Sequence, residues 1–293
     1  MRLVLTTLLV ALLTSVAQAQ PAKTPKVLVI GIDGLRPDAL EAAKTPFLDE
    51  LKKAGAWTDD AQILAARYRK NDTISGPGWS SILTGVWADK HGVQDNSFRG
   101  SDFSTYPDFF RRLKQARPTA RTAAFVSWQP IGDQILKGSA DESVVKSSDN
   151  LKAGDYLKQP NPDAVFYYFG FADSMGHTKG FHPRVPEYIS AIELADTCTG
   201  LVLRGMVTRP TFNEENWLVL VTSDHGGEGT SHSSGLDVPA ILNVPLIISG
   251  PAAELGKLHG PAFIVDVPVT ALTHLGVKLD RDWKLDGRPV GLK

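Results

Sequence analysis

The chain has 293 residues, 42% of them hydrophobic, with a formal net charge of −1 and one cysteine. That length and apolar fraction suit one large globular domain with a sizeable core. The charge balance argues against nucleic acid or an anionic membrane as a partner, and the single Cys198 excludes an intrachain disulfide.

In chain order, Met1-Arg2 leads into the apolar run "LVLTTLLVALLTSVAQAQ", too short to span a bilayer comfortably. It ends in Ala17-Gln18-Ala19, the small-x-small pattern of a signal peptidase site, which predicts a secretory signal over 1–19 and a periplasmic or secreted mature chain without a membrane span. One catalytic domain is expected over 26–293. The short basic cluster at 67–70, "RYRK", reads as a solvated surface.

Five apolar, β-rich runs follow, at 26–32, 122–128, 163–171, 216–222 and 244–249. They are nearly continuous in hydrophobicity, as strands buried on both faces are. Helical patterns lie between them. A Thr45-Pro46 start opens a helix that Gly55 is expected to close, and others are read over 106–116, 185–206 and 266–276. Alternating strands and helices predict an α/β fold with a mainly parallel central sheet covered by helices on both faces. Ligands of such sheets bind beyond the carboxyl ends of the strands.

Polar residues gather at those ends. Asp33 follows the first strand, Asp173 and His177 the third ("FADSMGH"), Asp224 and His225 the fourth ("VTSDHGG"), and His232 comes soon after. Singly, each suits a turn, a cap or a polar surface. Together, three carboxylates and three imidazoles on one rim suit divalent ions, two rather than one, with zinc favoured by ligand type and manganese also acceptable.

The stretch "TISGPGWSSILTG" at 73–85 contributes a hydroxyl, Ser75, just before a short helical pattern expected from Trp79 to Trp87. Gly76 and Gly78 would let a phosphate approach the backbone at a helix start. From these residues alone Ser75 is either an N-cap or a nucleophile activated by a metal.

The motifs "GIDGLRPD", "SGPGWSSILTGVWADKHGV", "DSMGH" and "SDHGG", followed by a later His, resemble in order those of the alkaline phosphatase superfamily, most of all its type I phosphodiesterase/nucleotide pyrophosphatase branch. In that family the nucleophile lies nine residues before the Thr of a Thr-Gly pair. Here the pair is Thr84-Gly85, which selects Ser75. The resemblance implies Asp33, Ser75, Asp224 and His225 around one ion and Asp173, His177 and His232 around the other. His259 competes with His232 for the last place, while His91 and His182 are read as structural. Gly78 offers no side chain to a phosphoryl oxygen, so that contact falls to backbone N–H groups or a side chain elsewhere.

Related sulfatases need Cys or Ser followed by x-Pro-x-Arg, and Trp79 stands at the Arg position here. The expected activity is hydrolysis of a small-molecule phosphate ester through a phosphoseryl intermediate, with a diester as the leading substrate. A phosphomonoesterase, and more remotely a sulfatase or a non-catalytic binding protein, are the alternatives.

Overall fold

The computed structural model describes residues 22–145, 153–158 and 161–293. The signal read over 1–19 lies outside the described residues. Among the described residues, no helix is long and apolar enough to cross a membrane.

Eight strands form one sheet: β1 (Thr24–Ile32), β2 (Gly55–Gln62), β3 (Thr122–Val126), β4 (Glu142–Val145), β5 (Ala164–Phe169), β6 (Glu215–Thr222), β7 (Asn243–Ser249) and β8 (Gly256–Lys257), in the order β4-β3-β5-β1-β6-β7-β2-β8. β4, β3, β5, β1 and β6 run parallel, whereas β7 is antiparallel to both β6 and β2. The mainly parallel α/β sheet is the one the alternating pattern predicts.

β1 occupies the middle of the sheet, and its side chains alternate between two cores. Val27 and Val29 join the layer that includes Trp79, Phe110 and Leu272. Leu28, Ile30 and Ile32 join the opposite layer with Tyr188, Ile192 and Cys198. Burial on both faces is why the strand reads as an unbroken apolar run. The long helix Pro186–Val207 covers the second layer and carries the buried, free Cys198.

Two element boundaries differ from the sequence reading. The second helix, Pro46–Lys53, stops before Gly55, which opens β2 instead. A Cβ at Gly55 would sit 2.1 Å from the Ile248 carbonyl oxygen, so the glycine serves the close approach of β7 rather than the helix end. The helix carrying Ser75 begins at Ser75 itself and ends at Thr84, with Gly85 at φ 76° as its left-handed cap. β2 was not anticipated: its sequence "GAWTDDAQ" places two acids mid-strand, and its register with β7 shifts between Thr58 and Ala61.

Register sets the site. Ile32 pairs with Phe169 on one side, and Gly31 with Thr222 on the other. The carboxyl ends of β5, β1 and β6 are therefore level, and residues just past them share one rim. The Asp33 N–H bonds the Phe169 carbonyl at 2.9 Å, and the Asp173 N–H bonds the Asp33 carbonyl at 3.1 Å.

Candidate functional site

Ser75 is the first helical residue and Ile74 the N-cap, so the serine hydroxyl is not spent as a cap. Its Oγ lies 3.3 Å from His225 Nε2. Pro77 is tolerated because the first turn's N–H groups have no intrahelical partner. The two glycines are there for contact. A Cβ on Gly76 would lie 2.8 Å from Asn96 Oδ1, and one on Gly78 would lie 2.8 Å from Asp224 Cβ. Both glycine N–H groups are engaged, Gly76's with Asn96 Oδ1 at 2.7 Å and Gly78's with the Ile74 carbonyl at 3.2 Å.

Around His225, Asp33 Oδ1 lies at 3.4 Å and Asp224 Oδ2 at 3.2 Å from Nε2. Around His232, Asp173 Oδ1 lies at 3.3 Å and His177 Nε2 at 2.9 Å. His177 Nε2 is 3.4 Å from the same Asp173 oxygen. The rings of His225 and His232 stack at 3.7 Å and join the two groups. All seven residues nominated at the strand ends and helix start meet here. His259 does not; it lines a separate cleft with Glu254 and Arg288. His91 is wholly buried against Ser81 Oγ at 3.1 Å.

The donor set fits cations. Asp33 Oδ1 and both Asp224 carboxylate oxygens are buried without a hydrogen-bond partner, and Asp173 Oδ1 meets the imidazoles of His177 and His232. Nδ1 of each imidazole faces a backbone carbonyl: Thr230 for His177 at 2.9 Å, Gly226 for His225 at 2.9 Å and Thr73 for His232 at 3.1 Å. A protonated Nδ1 satisfies those carbonyls and leaves each Nε2 lone pair pointing inward. Two Nε2 lone pairs 2.9 Å apart, as in His177 and His232, repel unless a proton or a metal ion stands between them.

Titration behaviour tells the same story. Burial, then the Asp173 charge, raises Asp33 to about 7, against the Tyr168 and Trp79 hydrogen bonds. Burial and Asp33 drive Asp224 well above the carboxylate range. Burial also lowers His225 to about 3. For His232 burial acts downward, yet its hydrogen bond with Asp173 outweighs it and raises the imidazole. Burial would raise Asp173, but the His232 bond and the surrounding imidazoles hold it low. Buried acids and bases whose ordinary charges go uncompensated by the protein suit a cation placed among them.

Four residues that the motifs did not nominate hold this set. Trp79 Nε1–H and Tyr168 O–H both donate to Asp33 Oδ2, at 3.1 and 2.7 Å. Thr73 binds the His232 segment through its own carbonyl and through Oγ1, which donates to the His232 carbonyl and accepts from Gly235 N–H. Asn96 sits exposed beside the first turn. Trp79 was visible only as a departure from the sulfatase pattern; the others carry no spacing signal.

Residues 27–137, which contain Asp33 and Ser75, match the family model for type I phosphodiesterase/nucleotide pyrophosphatase. The chain is 26% identical over 231 residues to ectonucleotide pyrophosphatase/phosphodiesterase family member 3 of Bos taurus, covering 70% of this chain and 25% of that protein. The backbone superposes on murine ectonucleotide pyrophosphatase/phosphodiesterase 5 with a TM-score of 0.67, at 15% identity, over 86% of this chain and 95% of that one. Over residues 27–137 the chain thus resembles the type I phosphodiesterase/nucleotide pyrophosphatase branch of the alkaline phosphatase superfamily. A 2-O GAG sulfatase superposes equally well, with a TM-score of 0.67 and 15% identity, over 91% of this chain and 73% of that one. The backbone thus speaks for the α/β fold alone and leaves the reaction to the site. The chain spans about a quarter of the length of the bovine relative it matches.

Proposed function

We propose that this chain is a two-metal hydrolase of phosphoric esters, with phosphodiesters as its preferred substrates and Ser75 as its nucleophile. The observation that carries the reading is the unspent Ser75 hydroxyl, held at a helix start 3.3 Å from His225 Nε2, the imidazole nitrogen that Asp33 and Asp224 also face with buried oxygens lacking hydrogen-bond partners. Asp33, Ser75, Asp224 and His225 would hold one ion and Asp173, His177 and His232 the other. Bound there, two divalent ions, zinc by ligand type, lower the pKa of a hydroxyl and neutralise charge on a phosphoryl group.

Ser75 Oγ attacks phosphorus, forming the Oγ–P bond as the P–O bond to the leaving alcohol breaks. Water then attacks the phosphoserine, breaking Oγ–P and restoring the hydroxyl. Asn96 accepts the Gly76 N–H, one residue after the nucleophile, with Oδ1, so its Nδ2–H donors form the amide's other end. They are suited to a non-bridging phosphoryl oxygen, the contact that Gly78 cannot make.

Charge favours a diester. Two divalent ions bring four positive charges against the carboxylates of Asp33, Asp173 and Asp224 and the ionised Ser75 oxygen, leaving no surplus to offset a second negative charge on the substrate. A phosphodiester carries a single negative charge and a monoester nearly two. Against sulfatase chemistry, Trp79 replaces the Arg of the formylglycine motif and its indole is committed to Asp33. The secretory signal read over 1–19 suits action outside the cytoplasm.

The test is a paired initial-rate assay on the zinc-loaded mature protein with bis-p-nitrophenyl phosphate and p-nitrophenyl phosphate. Faster turnover of the diester is expected. A monoester preference would move the chain to the phosphatases, and no turnover of either with metal bound would leave a binding protein.

A further inference from the structure

Asp33 and Asp224 serve the same buried half of the site but are held differently. Both Asp224 oxygens lack hydrogen-bond partners, whereas Asp33 has one bare oxygen and one doubly bonded. The two donors to Asp33 Oδ2 come from different elements: Tyr168 from β5, and Trp79 from the helix that begins at Ser75. Trp79 follows Ser75 by four residues, so nucleophile and indole lie on the same side of that helix, one turn apart.

The indole occupies a built slot. A Cβ on Gly31 of β1 would lie 2.3 Å from Trp79 Cη2, so only glycine admits the ring there. Phe166 and Tyr168 meet it edge-to-face, with centroids at 5.8 and 5.3 Å. Trp79 is fully buried and Tyr168 nearly so. A Trp needed only for bulk would not require its N–H to reach a carboxylate, nor a tyrosine hydroxyl to reach the same oxygen.

We propose that Trp79 and Tyr168 are positioning residues that clamp Asp33 Oδ2 and so present Oδ1 alone, as a one-oxygen ligand, to the ion of the buried half. Because Trp79 shares a helix with Ser75, the clamp also ties the nucleophile's placement to that of Asp33. Asp224, with two bare oxygens, keeps its choice of binding mode. The inference rests on the two-metal reading above.

Chelator-stripped protein titrated with zinc tests it. The wild type takes two ions per chain. Tyr168→Phe keeps the ring and deletes one donor; it should weaken one of the two ions about 10–100-fold and leave the other within about twofold. Cobalt-loaded Tyr168→Phe should show an altered visible spectrum for one ion only. Trp79→Phe should behave likewise, and if it does not fold, Tyr168→Phe decides alone. Tyr167→Phe deletes a buried hydroxyl from the same strand on the opposite face and should change melting temperature without changing zinc affinity. Two ions bound with unchanged affinity and spectrum in Tyr168→Phe would overturn the clamp. Fewer than two ions in the wild type would instead overturn the two-metal reading, and the clamp with it.

Discussion

The two halves of the site are built from the same chemistry in different surroundings. Asp224 and His225 are wholly buried and Asp33 nearly so. In the other half the His177 side chain is 45% exposed and Asp173 20%. The buried half takes its carboxylates and imidazole from the ends of two adjacent parallel strands, whose register is fixed along their length, and its hydroxyl from the helix that begins at Ser75. The open half takes Asp173 and His177 from the helix Phe171–Lys179 and His232 from a loop, laced together by single hydrogen bonds to Thr230 and Thr73. Burial raises the cost of an uncompensated charge, so the buried half should bind its ion more tightly and depend on it more. The open half is the side that faces solvent.

Ser75→Ala tests what the halves share. It should cut turnover by about 10³-fold or more while both ions stay bound, since the attacking atom is lost and the carboxylates and imidazoles remain. Metal analysis beside initial rates separates the two effects; retained turnover would remove Ser75 from its role. Asp224→Asn should reduce stoichiometry to one ion per chain. It also removes a buried carboxyl whose ionisation is opposed by burial and by Asp33, so near neutral pH the metal-free variant should melt above the metal-free wild type, the reverse of the order expected with zinc. His177→Gln should weaken the open-half ion alone, about 10–100-fold, with little change in melting temperature because the side chain is half exposed. Equal effects of Asp224→Asn and His177→Gln on metal-free stability would erase the contrast.

Smaller still is the expectation for Thr73→Val, which keeps the shape and deletes the hydroxyl that joins the His232 carbonyl to the Gly235 N–H. The bond from His232 Nδ1 to the Thr73 carbonyl survives, so a loss of about tenfold in open-half affinity is expected, at the mild end for a supporting residue. A drop in the buried-half ion instead would show that the halves are coupled through this segment.

How much of this was legible depends on what each residue does. β1, β3, β5, β6 and β7 were readable because burial on both faces writes a continuous apolar run. β2 escaped because Asp59 and Asp60 interrupt it where the ladder bulges. The ligand candidates were readable because Asp and His just past buried strands are conspicuous, and level strand ends turn sequence neighbours of strands into neighbours in space. Ser75's helical start was obscured by Gly76 and Gly78, which look like breakers. Their lack of a Cβ is dictated by Asn96 and by Asp224, far off in sequence. Trp79, Tyr168, Thr73 and Asn96 act through contacts spanning 20 to 159 residues, and no local pattern encodes such a partner.

His91 provides the mildest test, on the helix side of the same machinery. It is a histidine whose ordinary reading as structural rests on burial alone. Val93 N–H donates to its Nδ1 at 3.1 Å, so that nitrogen is unprotonated and the proton sits on Nε2, facing Ser81. Burial lowers its pKa to about 3. Between that value and the unfolded value of about 6.5 the folded chain binds fewer protons than the unfolded one, so stability must fall as pH drops through this window. One such group contributes at most about 1.4 kcal/mol per pH unit. His91→Gln should flatten that part of the urea-unfolding profile of the metal-free protein while leaving zinc stoichiometry at pH 8 untouched. An unchanged slope would mean that the acid sensitivity belongs to the imidazoles of the site, and that the contrast between its halves extends to pH.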